Sequence, residues 1–260
     1  MNRIALHQST VHPADPIELV ELAATAGLDS IGLRVAAVDE VRQWWSKGIG
    51  SPMLHALIPA LLASRITVLD VGRVVLGPEL RVLDGRHAYV RVLELGVRLG
   101  AQFVTARAAA GTTEPAELFR ALADLAANYQ LRPLITIVPD TPVATLTQAR
   151  AVVAGTGGGI VLDVSPQRRT AAEVDELVLE LGPDLGYVRV PAAELADGGP
   201  PGLLATLPAQ VPVAIGAAVT GEPERSPLPD GNRVGYARTL RDAVDAMLRH
   251  PSAGHPSAAR

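Results

Sequence analysis

The feature that most constrains this chain is an alternation of short, β-branched apolar runs with longer segments whose apolar residues recur every three and four positions. The runs fall at residues 3–8, 30–35, 66–71, 102–106, 133–138, 159–164, 185–190 and 211–216. Helical periodicity fills the intervals at 16–27, 52–64, 86–99, 115–129, 142–154, 170–181, 200–207 and 233–249. Runs without a polar face suit parallel strands buried on both sides. Eight strand–helix pairs in about 250 residues is the size of a single closed (β/α)8 barrel, a TIM barrel, whereas doubly wound sheets use fewer strands.

Local signals support the helices. Asp15-Pro16 and Ser51-Pro52 read as N-caps followed by proline in the first turn, and Thr113 precedes a turn carrying Glu114 and Glu117. Gly27, Gly100 and Gly182 stand where helices end. No linker splits the pattern, so residues 1–250 form one domain, and the tail 251–260, PSAGHPSAAR, offers nothing to bury and is expected to be disordered. The polar loop 220–232, after the last strand, falls at the catalytic mouth of a barrel.

Composition narrows the function. With 48% apolar residues the chain can build a large core, and a net charge of -4 gives no field to hold a nucleic acid. The absence of cysteine removes disulfides, thiolate nucleophiles and thiolate metal sites. No run stays apolar for the roughly 18 residues of a membrane span, and the N-terminus lacks a signal-peptide pattern, so a cytoplasmic protein without membrane partner is expected. Lys47 is the only lysine, and the Ala, Val, Leu, Gly, Pro and Arg excess is that of a GC-rich, bacterial genome. GTGGG at 155–159 precedes a strand, so it fits a turn at the stability face and neither a dinucleotide fingerprint nor a P-loop.

In such a barrel, chemistry sits at the C-terminal strand ends. In order, these offer His7 and Gln8; Arg34; Asp70 and Arg73; Thr105 and Arg107; Thr136 and Asp140; Asp163, Ser165, Arg168 and Arg169; Arg189; and Ala214 and Gly216.

The opening IALHQSTVHPADPIELVELAATAGLDSIGLRV and the segment VPDTPVATLTQARAVVAGTGGGIVLDV resemble the sugar phosphate isomerase/epimerase family, the xylose isomerase-like TIM barrels. The resemblance spans nearly the whole chain and implies isomerase or epimerase chemistry and a homodimer. It also implies one divalent metal, held by Glu ending strand five, Asp and a nearby His from strand six, Gln or His on strand seven, and Glu ending strand eight. Carried onto this chain, those positions read Thr136, Asp163, Pro166, Arg189 and Gly216, and a frequent strand-three Glu falls on Gly72. One carboxylate beside an arginine does not make a dication site, so no metal and no other cofactor is expected.

The remaining groups define a candidate site. Guanidinium groups at Arg34 and Arg189 would hold an anionic oxygen, while His7 and Asp163 move protons. Arg107 and Arg73 would add substrate contacts, as would Trp45 and Lys47 in the loop after strand two, where Trp44 and Trp45 offer cover for an apolar or cyclic substrate. Each arginine has a plainer role as partner of Asp70, Asp140, Asp163 or loop acids, or as a solvent-exposed charge, and His7 as a donor to a neighbouring backbone group or carboxylate. Two readings follow: a metal-independent isomerase, epimerase, lyase or cyclase acting by proton transfer on a small anionic or carbonyl-bearing substrate, or a catalytically dead barrel that binds a small acid or supports a partner subunit. A metalloenzyme with relocated ligands His7, Asp70, Asp163 and Glu222 is a third.

Overall fold

Eight parallel strands pair in sequence order in the computed structural model, which describes residues 2–11, 14–35, 51–195, 198–217 and 232–249. They are β1 (Ile4–His7), β2 (Ser30–Arg34), β3 (Thr67–Val75), β4 (Phe103–Arg107), β5 (Arg132–Thr136), β6 (Gly159–Asp163), β7 (Leu185–Pro191) and β8 (Val213–Gly216), and β8 closes on β1. The helices among the described residues are α1 (Pro16–Ala26), α2 (Pro52–Ser64), α3 (His87–Arg98), α4 (Pro115–Ala127), α5 (Leu146–Val153), α6 (Ala171–Leu181) and α7 (Arg233–Leu248). The chain is a (β/α)8 barrel. Trp44, Trp45, Lys47, Glu222 and the tail 251–260 lie outside the described residues.

Local chemistry fixes several element ends. Asp15 accepts the amides of Ile17 and Glu18 at 2.8 and 2.9 Å while Glu18 takes the Asp15 amide, a complete capping box on α1. Gly27 and Gly100 follow α1 and α3 with φ of 76° and 64°, the left-handed conformation that glycine adopts without a Cβ clash. Two expectations need correction. The residue before α4 is Glu114, itself left-handed at φ 52°, and Thr113 lies one residue further out. The segment 200–207 is a series of turns and not a helix. Its apolar spacing mimics a helix because Leu203, Leu204 and Leu207 are buried, yet the Gly202 and Leu204 amides donate to Ala246 and Met247 at the end of α7.

The core has two shells. One lies between the sheet and the helices and includes Leu6, Ile31, Leu33, Val104, Ile135 and Val188. The other fills the barrel with Ala5, Leu69, Phe103, Leu134, Val161, Tyr187 and Ala214. Because the strands tilt, inward side chains at one level come from alternate strands. The registers therefore put Arg34, Arg107, Asp163 and Gly216, from β2, β4, β6 and β8, in the layer at the strand ends. Beneath it lie His7, Gly72, Thr136 and Arg189 from the odd strands, then Gly32, Thr105, Val161 and Ala214, and then Ala5, Leu69, Leu134 and Tyr187. β3 breaks this regularity with register shifts against both neighbours, and its Asp70 turns into the barrel.

Candidate functional site at the barrel mouth

Polar side chains occupy the two layers nearest the strand ends and reach below them through Thr105 and Tyr187. His7, at the end of β1, is only 3% exposed. Its Nε2 lies 3.6 Å from Asp70 Oδ2, and its Nδ1 lies 3.1 Å from the Ser9 hydroxyl. Ser9 Oγ accepts the Ala217 amide at 3.3 Å, so the arrangement that satisfies all these groups has Ser9 donating to Nδ1 and the ring proton on Nε2, facing the carboxylate.

Asp70 is fully buried and collects donors from across the barrel. Thr105 Oγ1 donates to Oδ2 at 3.2 Å, and the Tyr187 hydroxyl donates to the same oxygen at 3.4 Å. Burial, and then the Asp70 carboxylate, push the Tyr187 hydroxyl well above its ordinary range, so it stays a proton donor; Arg189 and Arg73 pull weakly the other way. Asp70 Oδ1 is buried without a hydrogen-bond partner. Gly32 makes this packing possible, because a Cβ there would lie 2.3 Å from His7 Cδ2 and 2.5 Å from Asp70 Oδ1.

Above this cluster, Arg189 and Asp163 form a two-pronged ion pair, Nε to Oδ1 at 2.5 Å and NH2 to Oδ2 at 2.8 Å. The guanidinium is buried, while the carboxylate keeps 32% of its side chain exposed. Gly216 allows this path: a Cβ there would sit 2.8 Å from Arg189 Cδ. A glutamate at 216 and the present Arg189 thus compete for one space. Thr136 offers no free donor, since its hydroxyl is committed to the Ala106 carbonyl at 3.1 Å. At Gly72 a Cβ would meet Thr105 Oγ1 at 1.9 Å, so that position excludes a side chain too. Among the described residues no three His, Cys, Asp or Glu side chains gather as a metal-holding group.

Arg34 and Arg107 complete the upper layer, both half-buried. The Arg34 amide is fixed by Gln8 Oε1 at 3.0 Å. Neither guanidinium has a hydrogen bond or ion pair among the described residues. Arg73 sits where β3 shifts register, after a cis Gly72–Arg73 peptide bond, and its charge acts on Tyr187. Arg168, Arg169 and Asp140 are exposed. His55 and His87 are exposed on α2 and at the start of α3. Reading the strand ends passed over Ser9, on the turn after β1, and also Tyr187. The signal for Tyr187 was present, since it stands two residues before Arg189 on the same inward face of β7.

No protein-family model matches the chain. No curated protein matches it either. Solved structures do. The IOLI protein with a bound zinc atom is 16% identical, with a TM-score of 0.67 over 97% of this chain and 100% of that one. A xylose isomerase domain protein from Salmonella typhimurium is 12% identical, with a TM-score of 0.65 over 95% and 98%. This chain has the xylose isomerase-like TIM-barrel fold. A D-psicose 3-epimerase from Clostridium cellulolyticum shares it, at 12% identity and a TM-score of 0.63 over 96% and 100%. At such identities the likeness extends to the fold alone, and a fold does not fix what a site on it does. Among the described residues no helix is long and apolar enough to cross a membrane.

Proposed function

We propose that this xylose isomerase-like barrel is a metal-independent enzyme of isomerase, epimerase or lyase type, moving a proton at a carbon next to a carbonyl in a small acidic substrate. The observation that carries this reading is the buried His7–Asp70 pair under a mouth of arginines. An imidazole and a carboxylate inside a barrel cost stability that aliphatic side chains would not, and such clusters concentrate where proton chemistry is done.

The donor set does not fit a dication. Of the positions that the resemblance assigns to metal ligands, Asp163 alone supplies a carboxylate, both its oxygens are engaged by Arg189, and the Arg189 stem fills the space of a side chain at 216. A guanidinium already paired with a carboxylate thus stands at that position. In this reading the Ser9 hydroxyl passes its proton to His7 Nδ1, the unprotonated ring nitrogen, as Ser9 Oγ takes the proton from the substrate carbon, while the Asp70 carboxylate faces the proton on Nε2. Arg189 keeps Asp163 aimed into the mouth, where it accepts a substrate hydroxyl. Arg34 holds an anionic oxygen of the substrate.

A second reading, a barrel that binds an acid without turning it over, is favoured by one fact: His7 and Ser9 are almost wholly buried. Incubation in D2O with hydroxypyruvate, dihydroxyacetone phosphate and fructose, followed by proton NMR, separates the two. The enzyme reading expects deuterium at the carbon beside the carbonyl of at least one, unaffected by EDTA and lost in His7→Ala. Exchange that disappears with EDTA and returns with manganese would sink metal independence. Binding without exchange would leave the binding barrel.

A further inference from the structure

The upper layer of the barrel is divided by charge. Two of its four positions, Arg34 on β2 and Arg107 on β4, present guanidinium groups with no partner among the described residues, and Gly72 on the strand between them carries no side chain. The other two, Asp163 and Gly216, present a carboxylate already matched by Arg189 and a buried glycine whose side-chain space the Arg189 stem fills. We infer that Arg34 and Arg107 form an oxyanion anchor. The ligand of this barrel is then a small hydroxylated oxyacid, its carboxylate or phosphate held between β2 and β4 and its hydroxyl directed across the mouth to Asp163.

Three physical points converge on this assignment. Neighbouring strands lie about 4.8 Å apart, so Arg34 and Arg107 stand roughly 10 Å apart at their Cα atoms, close enough for two arginine side chains to converge on one oxyanion. Guanidinium forks bind carboxylate and phosphate oxygens two at a time, and half-burial strengthens that interaction over one made in bulk water. Arg189 does not belong to the anchor, because its fork is spent on Asp163. Cations with no partner among the described residues on one side, and the Arg189–Asp163 pair on the other, give the direction in which a ligand lies.

The anion end of this inference stands without any assumption about catalysis, and the hydroxyl end rests on the role proposed for Asp163. Isothermal titration with inorganic phosphate, glycerate and propionate tests both. Phosphate and glycerate are expected to bind in the millimolar range, with affinity falling as sodium chloride is raised. Arg34→Gln and Arg107→Gln should each weaken binding roughly tenfold or more, the usual effect of losing one charge-assisted interaction. Arg150→Gln, on α5 and paired with Glu180, should leave it unchanged. Arg34→Lys and Arg107→Lys keep the charge and lose the fork, so they should bind at intermediate strength, and they carry the test if a glutamine variant does not fold. Tighter phosphate identifies a phosphate ester and tighter glycerate a carboxylic acid, and either supports the anchor. Absence of binding, or binding undiminished in both glutamine variants, overturns it; glycerate binding no better than propionate overturns the hydroxyl end. Anion binding lost with deuterium exchange intact removes this inference alone, and the reverse removes the proposed function alone.

Discussion

Asp163 and Arg189 show how one exchange of residue type changes the chemistry that a strand end can support. The sequence placed both at the mouth, and the register pairs them directly across β6 and β7. What the sequence did not display is the dependence on Gly216, which lies on another strand and matters only through the space it leaves. The two partners differ in burial, and this predicts an asymmetry. Asp163→Ala leaves a buried guanidinium without its carboxylate and should cost roughly 3 kcal/mol. Arg189→Met leaves a carboxylate with partial access to water and should cost only about 1 kcal/mol. Urea denaturation of the two variants measures the difference, and equal losses would mean that Arg189 is better solvated than its burial indicates.

At the scale of elements, the strands were legible because each is a short apolar run bounded by polar residues or glycine, and burial on both faces demands that pattern. The helices were legible where caps and periodicity agreed, as in α1. They were not legible at 200–207, where the same spacing of leucines serves a turn-rich segment tied by its backbone to α7; periodicity reports which residues are buried and not what their amides bond to. His7, Arg34 and Asp163 were visible as strand ends, whereas the Tyr187–Asp70 contact joins strands on opposite sides of the barrel, 117 residues apart. One helix end carries a local conflict of its own. α2 ends in Arg65 at φ 59°, a left-handed position where a side chain is strained and glycine is not. Arg65→Gly should therefore raise stability by about 0.5–1 kcal/mol, read as a higher urea midpoint with unchanged slope. A lower midpoint would mean that the arginine side chain contributes more than the backbone costs.

For the whole molecule, the net charge is -4, yet among the described residues arginines outnumber carboxylates at the mouth, an arrangement that draws small anions inward. The barrel closes by strand pairing around apolar layers, and the polar cluster sits among them. Replacing His7, Asp70 and Tyr187 together, as His7→Leu/Asp70→Val/Tyr187→Phe, removes a buried carboxylate with an unpartnered oxygen and fills the space with apolar atoms. By analogy with other buried charge clusters, the triple variant should gain about 1–4 kcal/mol over the parent in urea denaturation. Asp70→Val alone should lose stability, because the Tyr187 and Thr105 hydroxyls would be left without their acceptor. The triple variant should also have no deuterium exchange activity, the trade of stability against function expected when polar groups are kept inside a core for their chemistry. A triple variant less stable than the parent would make the cluster a structural support and take away the main reason for reading His7 as a catalytic base.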